Sequence, residues 1–284
     1  GLLSFLDPLR PEVPQAVAEC HRAGVRVLMI TGDYPATALA IEAQAGLDVA
    51  GGVLSGSEMA QLSDEALRAR VAQVSVFARM VPQQKLRLVQ ALEDLRGIVA
   101  MTGDGVNGAP ALKAAHIGIS MGKRGTDVAR EASALVLADD NFASIVAAMR
   151  LGRRIFDNLR KAVAYTFAVH VPIAGLSLLS PLLGWPLLLL PSHIAVLEMI
   201  IDPSCGLIFE GTEAEPHIME RPPRPLGQPM VTGWVLFLSL LQGAMVLGGC
   251  VFAYYFAARL GYSAERLRAM VFSTLVFANL GLIV

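Results

Sequence analysis

Between Ala162 and Leu197 the chain carries no Lys, Arg, Asp or Glu. That gap limits the possible folds more than any other feature, because an uncharged stretch this long must be shielded from water on most sides. Four apolar segments, at 155–182, 187–209, 233–258 and 267–284, each approach the ~20 residues that span a bilayer as a helix. Basic residues flank them unevenly. Arg150, Arg153, Arg154, Arg160, Lys161, Arg221 and Arg224 fall on one side, against Arg259, Arg266 and Arg268 on the other. The excess of positive charge on the retained side of a membrane then places residues 1–149 in the cytoplasm, with the plasma membrane as the expected location. The chain is thus read as an integral, multi-pass membrane protein with lipid as its surroundings. A net charge of −1 gives no footprint for nucleic acid. The three cysteines, Cys20, Cys205 and Cys250, are too scattered for a disulfide framework. The chain opens on Gly1 and closes on the apolar run Leu280–Val284, and is expected to be a piece of a longer protein.

Residues 1–149 follow a different rhythm. "RPEVPQAVAECHRAG" places Val13, Ala16, Val17 and Cys20 at helical spacing, and Gly24 reads as a stop. "GVRVLMITGD" then reads as a strand, and "PATALAIEAQAGL" as a helix closed by Gly46. "VSVFARM" alternates like a strand. "VPQQKLRLVQALEDLRG" puts Leu86, Val89, Leu92 and Leu95 on one helical face. "IVAMTGDG", "HIGISMG" and "ASALVLADD" add three short apolar runs. Helices alternating with apolar strands predict a parallel sheet covered on both faces, with ligands at the carboxyl ends of the strands.

Two of those ends read Thr31-Gly32-Asp33 and Thr102-Gly103-Asp104. A carboxylate at such an end suits a hard, oxygen-seeking cation such as Mg²⁺, which favours phosphate neighbours. Gly103 is expected to let the backbone turn sharply and a ligand approach. Thr31 and the amides beside it suit phosphate oxygens, and Lys85 can neutralise phosphate charge. In the apolar half, polar groups are the functional candidates, because lipid makes them expensive. His170 precedes Pro172, which is expected to break the helix and free carbonyls. Glu198 and Asp202, four apart, share a helix face, and Pro203 is expected to unwind that helix. Two carboxylates with free carbonyls make an oxygen cage for a cation.

"DPLRPEV", "MITGDYPATALAIEAQAGL", "FARMVPQQKLRLVQAL", "MTGDGVNGAPALKAAHIGISMGKRGTDVAREASALVLADDNFASIV" and "RRIFDNLRKAV" resemble, in order, the landmarks of P-type cation-transporting ATPases. The calcium-pump-like branch is the nearest in pattern. The resemblance implies an α/β haloacid-dehalogenase-like phosphorylation domain, in its C-terminal portion, followed by an all-α transmembrane bundle over 150–284 that matches membrane helices five to eight. It implies that Asp104 binds Mg²⁺ beside a phosphorylated aspartate. Thr31 would hydrogen-bond the phosphoryl group with the Gly32 amide beside it, Asp33 belongs to the same catalytic set, Lys85 would stabilise the phosphoryl charge, and Asn107 belongs to the Asp104 loop. Asp7 and Arg10 match an element near the hinge, with Leu9 replacing its second Pro. Asp202 matches an ion ligand, while Glu198 and His170 fall on ligand positions with changed side chains. The implied cofactors are Mg²⁺ and ATP. The implied cargo is a cation, divalent by resemblance, or a proton coupled through His170.

The sequence departs from the family in three ways. No Asp-Lys-Thr-Gly-Thr nucleophile motif occurs in these residues, so the phosphorylated acid is expected on a missing N-terminal half, together with the nucleotide-binding and actuator domains and the first four membrane helices. Gly108 stands where the family loop has Asp. Ile173 and Ile201 stand at ligand positions, so the ion site is expected to hold fewer ligands. The rival reading is a degenerate, non-catalytic pump fragment or a regulatory membrane protein. A membrane-anchored phosphatase ranks behind it, because no Asp-x-Asp precedes Thr31.

Overall fold

A computed structural model describes residues 8–48, 50–95, 97–225 and 227–283, with residues 200–202, 204 and 205 described by their backbone alone. The chain divides into two compact units: Gly1–Leu151 with Pro216–Leu226, and Gly152–Glu215 with Gly227–Val284.

The first unit alternates helices and short strands: α1 (Val13–Arg22), β1 (Met29–Ile30), α2 (Pro35–Ala45), β2 (Val53–Ser55), α3 (Gly56–Met59), α4 (Asp64–Val71) and β3 (Val76–Ala78). It continues through α5 (Pro82–Asp94), β4 (Ala100–Gly103), α6 (Ala109–Ala114), β5 (Ile117–Met121), α7 (Asp127–Glu131) and β6 (Leu135–Leu137). All described strand pairs are parallel, as helical crossovers require. The expected sheet is present as two three-stranded halves, ordered β1-β3-β2 and β4-β5-β6. β1 pairs Met29 with Val76 and Ile30 with Phe77; β4 pairs Thr102 with Ile119.

α5 joins the halves. Leu88 packs in the cluster around Phe77, and Val89 in the cluster around Met101. Ile30 of β1 touches both clusters. The buried residues of α5 are Leu88, Val89 and Ala91; of the predicted row, Val89 is buried, Leu92 packs partly buried in the Phe77 cluster, and Leu95 is exposed. The 3.6-residue period was right, but its phase depends on which side the two sheets occupy. Proline at the start of α2, α5 and α6 sits where a missing N–H leaves nothing unpaired.

Gly24 closes α1 in the left-handed region, at φ +71°. A Cβ there would lie 2.9 Å from Pro222 Cα. Beside it, Met219 packs against Ala16, Cys20 and Val146. Gly24 therefore lets the Pro216–Leu226 segment lie against the end of α1. Gly24→Ala combines a strained φ with a backbone overlap and is expected to destabilise this contact by at least about 1 kcal/mol. Hydrogen exchange of the α1 amides in the detergent-solubilised chain should then rise about fivefold.

The second unit is helical. α8 (Ala143–Leu182) enters it at Gly152, followed by α9 (Pro191–Val196), a π turn (Leu197–Ile201), α10 (Asp202–Gly211), α11 (Gly233–Arg259) and α12 (Ala264–Gly281). Among the described residues, α8 and α11 are long and apolar enough to cross a membrane. α8 runs unbroken through Pro172 and Pro181, against the expected break. Proline still removes one amide, so the carbonyl of Ala168, four residues before Pro172, loses its usual helical donor. Gly243 of α11 packs on that spot. A Cβ at Gly243 would overlap the Ala168 carbonyl and lie 2.6 Å from Val171 Cβ. Gly175 receives Leu247 in the same way, with Cδ2 2.5 Å from where a Cβ would stand. Small residues at these positions let two helices approach backbone to backbone. At the other end of the unit, the Thr212 carbonyl after α10 accepts from Arg154 Nε (2.8 Å) and Asn158 Nδ2 (3.0 Å). Those donors satisfy a carbonyl that a helix end leaves open.

Candidate functional site

In the first unit, the candidate residues gather at the carboxyl ends of β1 and β4 and at the start of α5. Thr31 follows β1, and its main chain is held on both sides. Its N–H donates to the Phe77 carbonyl (2.9 Å), and its carbonyl accepts from the Met80 amide (3.1 Å). The Thr31 hydroxyl donates to Asp33 Oδ2 (3.0 Å) and accepts from the Asp33 amide (3.1 Å). This closed local ring points the hydroxyl and carboxylate of one loop at each other. The Cβ direction of Gly32 is open, with nothing within 4 Å.

Asp104 leaves β4 with its carbonyl held by the Thr126 amide (2.8 Å). Its carboxylate is exposed, and among the described residues it has no side-chain partner. The Lys85 ammonium, one turn into α5, is likewise unpaired among the described residues. Lys85 precedes Leu88 and Val89, the two residues that join α5 to both half-sheets. Asn107 is exposed in the 3₁₀ turn Val106–Gly108.

None of Gly32, Gly103, Gly105 and Gly108 uses the left-handed region. Whatever turn Gly103 makes therefore does not draw on the conformational freedom that only glycine has. A Cβ there would meet Leu112 Cδ1 at 3.4 Å, an ordinary contact, so packing of α6 on β4 does not demand glycine at this position. Gly108 is buried, yet nothing lies within 4 Å of its Cβ direction.

Two further candidates lie elsewhere. The Arg10 guanidinium donates to the main-chain carbonyl of Asp140, between β6 and α8. The Asp140 carboxylate in turn accepts from the Lys123 and Arg124 amides, each at 2.9 Å. Burial pushes that carboxyl up, but these amides outweigh it and hold it below the ordinary range. Arg10 thus fastens the loop that leads into α8. Asp7 lies outside the described residues.

Arg79 was not anticipated. It follows β3 with φ +55°, rare for a side chain of its size, and its amide donates to the Asp33 carbonyl (3.1 Å). Its guanidinium sits 4.6 Å from the centroid of the Tyr34 ring, within cation–π range. The contact sets a cation beside the Thr31–Asp33 loop. Only the β1–β3 pairing brings it there, because 44 residues of chain lie between Tyr34 and Arg79.

In the second unit, His170 and Glu198 come together. His170 Nδ1 is 2.8 Å from the Thr166 carbonyl. A carbonyl only accepts, so Nδ1 is the donor here, and in a neutral ring Nε2 is the nitrogen that can bind a ligand. Nε2 lies 3.7 Å from Glu198 Oε1. That spacing is too long for a hydrogen bond, but one cation with bonds of about 2 Å can bridge it. Glu198 sits in the π turn, which replaces the expected unwinding at Pro203; Pro203 itself lies in the first turn of α10. Such wide turns often mark functional sites. Asp202 opens α10, and its side chain lies outside the described residues. Among the described residues, no three His, Cys, Asp or Glu side chains converge.

Asn279 was also missed. It is fully buried in α12, and among the described residues neither amide atom has a hydrogen-bond partner. Leu275, one turn before it, packs with Ile173 and Leu197. Leu282, nearly one turn after it, packs with Tyr165 and Val169. These contacts bracket the position of His170 on α8. A single amide in "MVFSTLVFANLG", a run that holds no charged residue, was the available signal.

The family described as "Cation transporting ATPase, C-terminus" matches residues 186–284, and "haloacid dehalogenase-like hydrolase" matches residues 1–116. The chain is 44% identical over 252 residues to a probable cation-transporting ATPase F of Mycobacterium tuberculosis, covering 87% of this chain and 28% of that protein. It is 41% identical over 285 residues to a calcium-transporting ATPase of Bacillus subtilis, covering 99% of this chain and 32% of that protein. Calcium-transporting ATPase 1 of Lactococcus lactis is 36% identical over 280 residues, covering 98% of this chain and 32% of that protein. The chain therefore spans about a third of the length of these curated relatives. A haloacid-dehalogenase-like sheet and a transporter's C-terminal helices, joined in the order of those relatives, are the parts of one protein type: the chain belongs to the P-type cation-transporting ATPases, as a segment of a longer protein.

Proposed function

We propose that the chain is the C-terminal part of an ATP-driven pump, which couples formation and hydrolysis of an aspartyl phosphate to movement of a divalent cation across a membrane. The observation that carries this reading is the His170–Glu198 pair, two donor atoms 3.7 Å apart in an apolar helical unit of the same chain as the Thr31 and Asp104 loops. Polar donors facing one another among apolar helices mark an ion path by default. In this reading residues 1–149 are the cytoplasmic phosphorylation domain and 150–284 the membrane region.

The phosphorylated aspartate would come from a strand outside these residues. β1 and β4 each have a ladder on one side only among the described residues. Either open edge is suited to a further parallel strand. Asp104 would hold Mg²⁺, since an exposed, unpaired carboxylate at a strand end fits a hard cation. When bound, Mg²⁺ neutralises charge on phosphoryl oxygens. Thr31 and the Gly32 amide would orient the phosphoryl group, and Asp33 would hold the Thr31 hydroxyl. Lys85 would stabilise developing negative charge, and Asn107 would line the loop. Arg10 fastens the adjacent loop and would act from a distance.

The cation would take His170 Nε2, Glu198 and Asp202, with Asn279 as a neutral oxygen donor bracketed at the same level. Ile173 and Ile201 offer no donors, so this is a site for one ion. The test is stimulation of ATPase activity in the full-length protein by Ca²⁺, Mn²⁺, Mg²⁺ and K⁺, with Asp202→Asn as the comparison. One divalent ion should stimulate, and the variant should need at least about tenfold more of it. Equal stimulation of both proteins removes Asp202 from the site.

A further inference from the structure

Glu42 lies on α2 and is fully buried, and among the described residues neither carboxylate oxygen has a hydrogen-bond partner. Its neighbours on the same face are Ala38, one turn earlier, and Ala45, nearly one turn later; both are buried. Ala38 belongs to an apolar cluster with Val76 and Ala78, and Ala45 to one with Val17 and Leu47. Met29 packs against both clusters. The carboxyl therefore sits in an apolar seam between α2, β1, β3 and α1.

Among the described residues, the charged surroundings offer no compensation. β2 and β3 carry no titratable side chain. α1 carries Glu19, Cys20, His21 and Arg22, and Glu19 is taken by Arg150 at 2.9 Å. Asp48, in the loop after α2, is the charged group whose field reaches Glu42, and it has the same sign. The nearby Arg26 donates instead to the Val74 carbonyl (2.6 Å). Burial first, and Asp48 second, push the Glu42 carboxyl above its ordinary value. An isolated buried carboxylate is among the least tolerated groups in a protein, and neutralising it is the usual escape.

We propose that Glu42 is held as the undissociated acid in the folded protein at neutral pH, and that ionising it loosens α2 and makes the first unit sensitive to alkali. The sign follows from the direction of the shift. In the unfolded chain Glu42 ionises near the ordinary glutamate value. In the folded chain it keeps its proton to higher pH. Folding therefore takes up a proton between those two values, and stability falls as pH rises through that window. α2 begins at Pro35, directly behind the Thr31–Asp33 loop, so loosening it would reach that loop. The inference rests on packing and holds whatever the pump carries.

Infrared difference spectra of the full chain in detergent, wild type minus Glu42→Gln, test the first part. At pH 7 the wild type should show an undissociated carboxyl band that the variant lacks; no such band overturns the proposal. Hydrogen exchange of the α2 amides tests the second. Wild-type opening, divided by that of Glu42→Gln, should grow with pH by up to about tenfold per pH unit within the window. A constant ratio overturns it. If the amide variant fails to fold, Glu42→Leu serves as the same reference, since it also lacks the ionisable group and suits the apolar seam.

Discussion

Replacing Asp104 with Asn in the full-length protein is expected to lower Mg²⁺-dependent ATP hydrolysis by about 10²–10³-fold, the scale of losing one preorganised charge contact at a reacting phosphoryl group. The side chain keeps its shape and loses its charge. Its main chain stays fixed by the Thr126 amide, so the fold should be unaffected. Protein yield and the α6 hydrogen-exchange pattern check that. Activity within about threefold of wild type, a small shift on this scale, would remove Asp104 from the proposed site. Gly108 supplies the complementary change. Its Cβ direction is clear, so Gly108→Asp adds a carboxylate to this loop without an overlap. More ligand charge tightens a hard-cation site. The Mg²⁺ concentration for half-maximal activity should then fall by about tenfold. An unchanged Mg²⁺ dependence would mean that Gly108 is tolerated, which also removes the main support for a degenerate fragment.

Gly243→Leu is expected to destabilise the helical unit by about 3 kcal/mol or more, beyond the usual range of overpacking. What stands in the way is the backbone of α8, at the Ala168 carbonyl and the Val171 Cβ, and backbone cannot swing aside like a side-chain tip. At Gly249, on the same helix, a Cβ would meet nothing within 4 Å, so the same substitution there is expected to be close to neutral. Thermal unfolding in detergent, followed by tryptophan fluorescence, compares the two. Trp185 stacks on Tyr254 of α11 at 4.2 Å between ring centroids, so the signal comes from the affected helices. Equal midpoints for the two variants would show that α8 and α11 do not depend on this close approach.

The elements were more legible than their placement. α1, α2 and α5 follow from periodicity and from their Pro and Gly punctuation, because these are local preferences. β2 was not foreseen, since "VLS" between glycines and a short helix carries too little pattern. The continuity of α8 through Pro172 was misread. A proline removes one amide and crowds one turn, but Gly243 packs over the carbonyl it frees, and the rest of a forty-residue helix holds the ladder. The phase of α5 was partly right: Val89 and Leu92 of the predicted row pack inside, but Leu95 is exposed and the unpredicted Leu88 lies in the Phe77 cluster.

The candidate site divides along the same line. By itself the sequence determined which chemistry is available: acids and threonines after apolar strands, a lysine at a helix start, a histidine inside an uncharged stretch, and two acids, Glu198 and Asp202, just past its end. These are statements about residue type and short spacing, and neither changes on folding. Tertiary structure alone decided which of them meet. It set His170 Nε2 3.7 Å from Glu198 and buried Asn279 completely. It laid Arg79 on Tyr34 through the pairing of β1 with β3. It took Arg10 to Asp140, and it closed apolar packing around Glu42. Each of these contacts joins residues far apart in the chain or depends on which face of an element is covered. Both are fixed by the packing of whole elements, which no local spacing records.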